Sequence, residues 1–276
     1  MKSPPSSILF IGSDSPASTS QHRADALRRL GCTVTVVNPV KLIGKLTQWQ
    51  LFFHYRTGYI FLQSTLLRSF QSLEALASLS PDLIWIDSGE HCGPRILRYL
   101  KRRFSCSLLL YNSDDPTGIR DGARFYSLYS ALPLYSLCIF VRPETSLEAL
   151  ALGARRVFTV HRSYDEVVHL LTPPSSDYVP ISAVNFVGAL IRGEQRDHFL
   201  QTLMHADIPV RVYGNSWQKS SIWNSIKYIY KGPSLIGDAY SQALCESSIT
   251  LGFLSHGNRD LVTRRSFEVL ASGGLF

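Results

Sequence analysis

The chain has 276 residues, enough for about two domains of typical size. Apolar residues make up 45% and charged residues 18%, which excludes a disordered chain, and no apolar run approaches the ~18 residues of a membrane span. Twenty-eight Lys and Arg against 21 Asp and Glu leave a net charge of +7, which suits a polyanionic partner: a nucleotide diphosphate, nucleic acid or an acidic membrane face.

Residues 8–11 (ILFI) read as a short strand covered on both faces. The turn 12–16 breaks it, and its apolar run is short for a signal peptide. Thr19 or Ser20 is expected to cap a helix that buries Ala24, Leu27 and Leu30, with Gly31 in the left-handed position behind it. Residues 33–37 form the second strand of a parallel βαβ unit. The aromatic, basic segment 41–80 is expected to hold one or two helices. The pattern then recurs: strand 83–86, helix 94–102, strand 108–111, strand 137–141, helix 143–152 with Gly153 behind it, and strand 156–160. Residues 171–181 (LTPPSSDYVPI) read as a linker. Beyond it the opening pattern returns, with strand 184–188 ending in glycine, helix 197–206 and strand 209–213. Strand 251–254, a loop and a helix capped by Thr263 follow, with Phe267 and Leu270 pointing inward. Residues 271–276 read as the start of another buried strand.

This pattern predicts an α/β protein of two Rossmann-like domains: 1–171, a linker at 172–181, and 182–276. The second domain has only about 95 residues against roughly 170 before it, so a truncated C-terminus is expected. Five cysteines at 32, 92, 106, 138 and 245, an odd number without C-x-x-C, argue against a disulfide scaffold or a structural zinc site, and for a reducing cytoplasm.

The nucleotide fingerprints G-x-G-x-x-G and the P-loop are absent after both glycine-ended strands, which lowers the odds of a dehydrogenase or an NTPase. The strongest local signal is the loop and helix start at 255–268. Free N–H groups and the positive end of a helix suit a phosphate, and Arg264 and Arg265 add two guanidinium forks. Asp260 and Glu268 flank that start and can accept hydrogen bonds from sugar hydroxyls. The plainer alternative is that the arginines are solvated and Glu268 pairs with one of them.

Here a resemblance emerges. The run NRDLVTRRSFEVLASGGLF (258–276) resembles the C-terminal domain of the CgeB-like, spore-maturation-type glycosyltransferases of the retaining GT-B class. Thr19-Ser20 with Arg23 through Gly31, Asn112-Ser113-Asp114-Asp115-Pro116, Arg162-Ser163-Tyr164, Phe186-Val187-Gly188, Val212-Tyr213-Gly214 and Gly237-Asp238 with Tyr240 resemble further family segments in order. The resemblance implies two Rossmann-like domains facing across a cleft, and transfer of a hexosyl-type sugar from a nucleotide-diphosphate sugar with retention of configuration. No metal and no cofactor beyond the donor substrate are implied. Glu268 matches the second acid of the E-x7-E pair and is expected to bind the ribose. Asp260 stands at the first position, one carbon shorter. Gly188, with Arg192 or Arg196, loosely matches the diphosphate-neutralising turn. In the first domain the candidates lie where α/β sheets bind ligands, at strand ends: Ser13, Thr19 and Arg23, then His91 as an acceptor-side base, then Asp115. For Asp114 a turn or cap role is favoured. The acceptor is open: protein, lipid or polysaccharide.

Two alternatives stand beside this reading. One is a non-catalytic structural or partner-binding protein on the same fold. The other concerns residues 41–68, which interleave basic and aromatic side chains. A peripheral membrane patch is one reading of them, but a helix packed on the first domain is preferred. Nucleic-acid binding has no supporting motif.

Overall fold

The computed structural model describes residues 5–169 and 181–276. The chain divides into two compact units, Met1–His161 with Gly257–Arg259, and Arg162–His256 with Asp260–Phe276. Apart from Ile181, the expected linker lies outside the described residues.

The first unit is built on β1 (Ser7–Ile11), α1 (Thr19–Arg29), β2 (Thr33–Val37), α2 (Pro39–Ile43), α3 (Gln48–Arg56), α4 (Gln63–Ser72), β3 (Leu83–Asp87), α5 (Pro94–Phe104), β4 (Ser107–Asn112), α6 (Tyr126–Tyr129), β5 (Leu137–Phe140), α7 (Pro143–Ala151) and β6 (Val157–Thr159). Its six strands are parallel and ordered β2-β1-β3-β4-β5-β6. The continuous apolar run of β1 is needed because both its faces are covered. Leu9 and Ile11 join the large core with Ile84, Ile86, Leu108 and Leu110, while Ile8 and Phe10 pack on the other face with Ala24 of α1. The chain passes from β1 to β2 on one side and then crosses back to β3 on the other side of β1. The carboxyl ends of β1 and β3 therefore form a topological switch point, where such sheets bind ligands.

Several expectations are corrected here. The cap of α1 is Ser18, whose Oγ accepts from the Gln21 N–H at 3.1 Å, not Thr19 or Ser20. Leu30 closes that helix as its C-cap and is 80% exposed, so the buried stripe ends before it. Segment 41–80 divides into more pieces than expected: the tail of α2, then α3 and α4, with single 3-10 turns at Ile60–Leu62 and Glu74–Leu76. α4 buries Leu66 and Phe70, but no residue of α3 is buried.

The second unit holds β7 (Ile181–Val187), α8 (Arg196–His205), β8 (Val210–Tyr213), α9 (Trp223–Ile226), β9 (Tyr230–Gly232), α10 (Gly237–Glu246), β10 (Ser247–Thr250) and α11 (Arg264–Ala271). Its parallel sheet runs β10-β7-β8-β9. The switch point here lies at the carboxyl ends of β7 and β10. The strand expected at 251–254 is displaced upstream, to β10. Leu251 still donates to the Asn185 carbonyl at 2.8 Å, but the chain then leaves the ladder. Phe253 instead packs edge-on against Phe186 and Phe199, with ring centroids 4.9 and 5.3 Å away, so this apolar run covers the core rather than extending the sheet.

Thr263 stands at the N-cap of α11 but makes no side-chain cap bond. The helix turns Glu268 and Val269 inward, while Leu270 is 63% exposed and Phe267 half-buried, contrary to the expected Phe267–Leu270 stripe. Residues 272–276 do not form a strand. The Leu275 carbonyl accepts from the Thr250 N–H at 2.8 Å, and the Phe276 ring lies over Gly252.

Candidate functional site

In the second unit β7 runs straight into Gly188. Its N–H donates to the Tyr213 carbonyl and its own carbonyl accepts from the Trp217 indole, each at 2.8 Å. A Cβ on Gly188 would come within 2.7 Å of Cζ of Phe186 and 3.3 Å of Nη1 of Arg265, so only glycine fits. Two guanidinium groups flank the Phe186 ring, Arg265 at 5.6 Å and Arg196 at 5.8 Å from its centroid. The fold thus gathers Gly188, Arg196 and Arg265 around one aromatic ring at the end of a strand. Arg196 is buried and anchored: it pairs with Glu194 and donates to the Ala189 carbonyl at 3.1 Å and to Ser255 Oγ at 3.2 Å. Arg192 is exposed instead, on the rim of a pocket of about 450 Å³ that His198, Lys219 and Ser220 also line.

α11 carries the two expected arginines in its first turn and the expected acid in its second. Glu268 is 7% exposed. Its Oε2 accepts from the Tyr240 hydroxyl at 2.6 Å, and its Oε1 meets Arg264 Nε at 2.6 Å and His169 Nε2 at 3.4 Å. The pairing of Glu268 with one of the arginines is therefore present, and that arginine is Arg264. Burial pushes the Tyr240 hydroxyl up to about 12, with Arg265 opposing and the Glu268 carboxylate adding to the rise, so Tyr240 stays a proton donor. A carboxylate has about four lone-pair positions, and this network leaves room for a further donor on Glu268. Asp260 is held separately, its Oδ1 accepting from Arg162 Nη2 at 2.8 Å. Tyr240, His169 and Arg162 were not among the expected site residues. No spacing ties positions 162, 169 and 240 to 260 and 268, and only folding brings them together.

In the first unit Arg23 makes a two-pronged bond to Asp87, Nε to Oδ1 at 2.9 Å and Nη2 to Oδ2 at 2.8 Å. Nη2 also reaches Thr19 Oγ1 at 3.3 Å, and the guanidinium lies 4.6 Å from the centroid of the Tyr111 ring. This places Thr19 and Arg23 at the β1/β3 switch point. Ser13 lies in the adjoining turn, its Oγ accepting from the Ser15 N–H at 3.3 Å. His91 packs on Tyr59 with ring centroids 4.3 Å apart, and its Nδ1 lies 3.9 Å from Glu90 Oε1. Burial holds the His91 imidazole below its usual range, more strongly than Glu90 raises it, so it is a neutral ring able to accept a proton. Burial alone would raise the Glu90 carboxyl, but His91, Arg124 and the Ser88 hydroxyl hold it below the usual range. Arg124 lies at 3.0 Å from Glu90 and 3.2 Å from Asp114.

Asp115 is buried, and both its oxygens are engaged. Arg259 donates from Nη2 to Oδ1 at 2.6 Å and from Nε to Oδ2 at 3.0 Å, and Thr145 Oγ1 donates to Oδ1 at 3.1 Å. Arg259 also pairs with Glu148 at 2.7 Å. Neither Arg259 nor Glu148 was expected from sequence.

The comparisons with known proteins follow the same lines. Residues 195–276 match the family described as glycosyl transferase-like. No curated protein matches the chain. Among solved structures, α,α-trehalose 6-phosphate synthase from Burkholderia multivorans is similar at a TM-score of 0.61 and 12% identity, over 96% of this chain and 81% of that one. AviGT4, a glycosyltransferase involved in avilamycin A biosynthesis, is similar at 0.55 and 10% identity, over 98% and 77%. Anabaena HepE, solved with UDP and glucose, is similar at 0.50 and 12% identity, over 88% and 73%. The chain has the α/β fold of the GT-B glycosyltransferases, two Rossmann-like units with parallel sheets, and its residues 195–276 carry a glycosyl transferase-like sequence.

Proposed function

We propose that this chain is a cytoplasmic glycosyltransferase of the CgeB-like, retaining type, which moves a sugar from a nucleotide-diphosphate sugar to an acceptor. The observation that carries the reading is Glu268, buried on α11 behind two first-turn arginines, with Arg265 against Gly188 at the end of β7. Phosphate oxygens can lie against the N–H groups of the first turn of α11 and against Arg265, with Gly188 allowing close approach of the backbone. Glu268 then accepts from the ribose hydroxyls while Tyr240 and Arg264 hold its orientation. Asp260, kept in place by Arg162, is assigned to the donor sugar.

When the bond between the anomeric carbon and the diphosphate breaks, negative charge collects on the departing phosphate. Fixed guanidinium and N–H groups stabilise that charge without a metal. The acceptor oxygen bonds to the anomeric carbon on the same face and gives up its proton. Neutral His91 in the first unit is the candidate acceptor-side base.

Thermal melting of the chain with UDP, GDP, ADP and TDP and their sugars tests the reading. A shift of several degrees with one base supports it, and no shift with any of them favours a non-catalytic protein on this fold. Proton NMR of the product's anomeric signal then separates retention from inversion.

A further inference from the structure

Helix α3 faces solvent with its most apolar side chains. Trp49, Phe52 and Phe53 stand at i, i+3 and i+4 and so share one face, and they are 83%, 55% and 50% exposed. Phe61, 61% exposed, stacks on Phe53 with ring centroids 5.4 Å apart and extends the ridge beyond the helix. On the inner side the Tyr55 hydroxyl donates to Asp121 at 2.7 Å, so the helix is anchored with this face outward. Exposed apolar ridges of this kind mark contact surfaces.

The charge around the ridge narrows the partner. From Ala26 to Leu73 the sequence has no Asp or Glu and six Lys and Arg, of which Arg28 pairs with Asp25 and Lys41 with Asp14. Lys45 and Arg56 are exposed, and the Arg56 guanidinium lies 5.2 Å from the centroid of the Phe52 ring. A second copy docked by a two-fold axis would set this basic surface against itself. An anionic bilayer complements both features. Trp settles at the headgroup level, the Phe rings reach the acyl boundary, and Lys and Arg are drawn to acidic headgroups. We propose that α3 and the turn after it form a membrane-surface contact that holds the protein peripherally on an anionic lipid bilayer. This goes beyond the glycosyl-transfer reading and does not depend on it.

Co-sedimentation of the full chain with phosphatidylcholine vesicles, with and without phosphatidylglycerol, tests the proposal. Binding should require phosphatidylglycerol, weaken as salt rises and shift Trp emission to the blue. The variant W49S/F52S/F53S should bind roughly tenfold more weakly or worse. K45E/R56E should lose roughly fivefold per charge. Both sets replace exposed side chains, so unchanged melting temperatures are expected. If the triple variant melts early, the charge-reversal pair carries the test alone. Absence of pelleting, equal binding to neutral vesicles, or vesicle binding that K45E/R56E leaves unchanged overturns the proposal. So does a dimer in light scattering that the triple variant dissolves while vesicles are ignored. The nucleotide melting panel is a separate readout, so failure of one reading leaves the other distinguishable.

Discussion

At the scale of single residues the structure separates two kinds of buried acid. Asp115 is enclosed and answered by Arg259, whose side chain is itself a third exposed. Arg259→Ala leaves a buried carboxylate with only the Thr145 hydroxyl and the main-chain N–H of residue 259, the latter at 3.3 Å, and no cation on it. It should cost roughly 2–4 kcal/mol, the lower part of the range for a broken buried pair because Arg259 is partly solvated. A thermal melt reads the loss directly, and Asp115→Asn in the Arg259→Ala background should recover part of it by removing the orphaned charge. Glu268 is enclosed differently, with hydrogen-bonding capacity left over. Glu268→Gln keeps the shape and removes the charge that ribose hydroxyls would seek. Titration calorimetry should find nucleotide affinity about tenfold weaker or more, since a hydrogen bond to a charged group contributes about 1.5–3 kcal/mol. Unchanged affinity would remove Glu268 from the site.

At the scale of elements, the turn that ends β7 and the cap that starts α1 decide geometry out of proportion to their length. Gly188→Ala places a methyl against the Phe186 ring and the Arg265 guanidinium. The tighter contact, 2.7 Å, is with the Phe186 ring in the core, so the turn itself must shift away from its place beside Arg265. The expected outcome is loss of the nucleotide-induced melting shift together with a lower melting temperature of the free protein. Ser18→Ala removes the side-chain acceptor for the Gln21 N–H and should cost about 1 kcal/mol. Thr19→Ala should cost much less stability, because Thr19 Oγ1 meets Arg23 rather than the helix backbone. Comparing the two melts distinguishes the observed cap from the one the sequence suggests.

At the scale of the whole molecule, buried titrating groups predict how stability follows pH. His91 is held below its ordinary 6.5 by burial, so the unfolded chain takes up a proton before the folded one does. Stability is then fully present above pH 6.5 and is lost as pH falls toward the folded value. Glu90, held below its ordinary 4.5, adds a second loss as pH falls below that value. Asp114 works the other way, raised by burial, so its contribution is present at low pH and lost as pH rises through its folded value. Melting temperature should therefore decline from pH 7 to pH 5, and His91→Gln should flatten that decline, while the loss below pH 4.5 should persist in weaker form because Arg124 and Ser88 still hold Glu90. A slope unchanged by His91→Gln would place the titrating group elsewhere.

Much of the framework was legible in the sequence because it rests on local chemistry. Apolar runs such as 8–11 and 83–86 mark strands, the first buried on both faces and the second buried on one face and partly covered on the other. Gly31 and Gly153 adopt positive φ behind α1 and α7, as their places after apolar-striped segments imply. The two arginines and the acid of α11 were visible as a pattern. Tertiary structure alone decided which way side chains turn and whom they meet. Residues 251–254 look like a strand, yet Phe253 packs edge-on against Phe186 and Phe199 instead of continuing the ladder. The inward face of α11 carries Glu268, met by Tyr240 and His169, beside Val269, which packs with Leu244, and not the expected Phe267 and Leu270. Arg259 reaches Asp115 across 144 positions of chain. Local signals report the conformation a segment favours, whereas burial and charge pairing depend on which distant segments the folded chain brings alongside it.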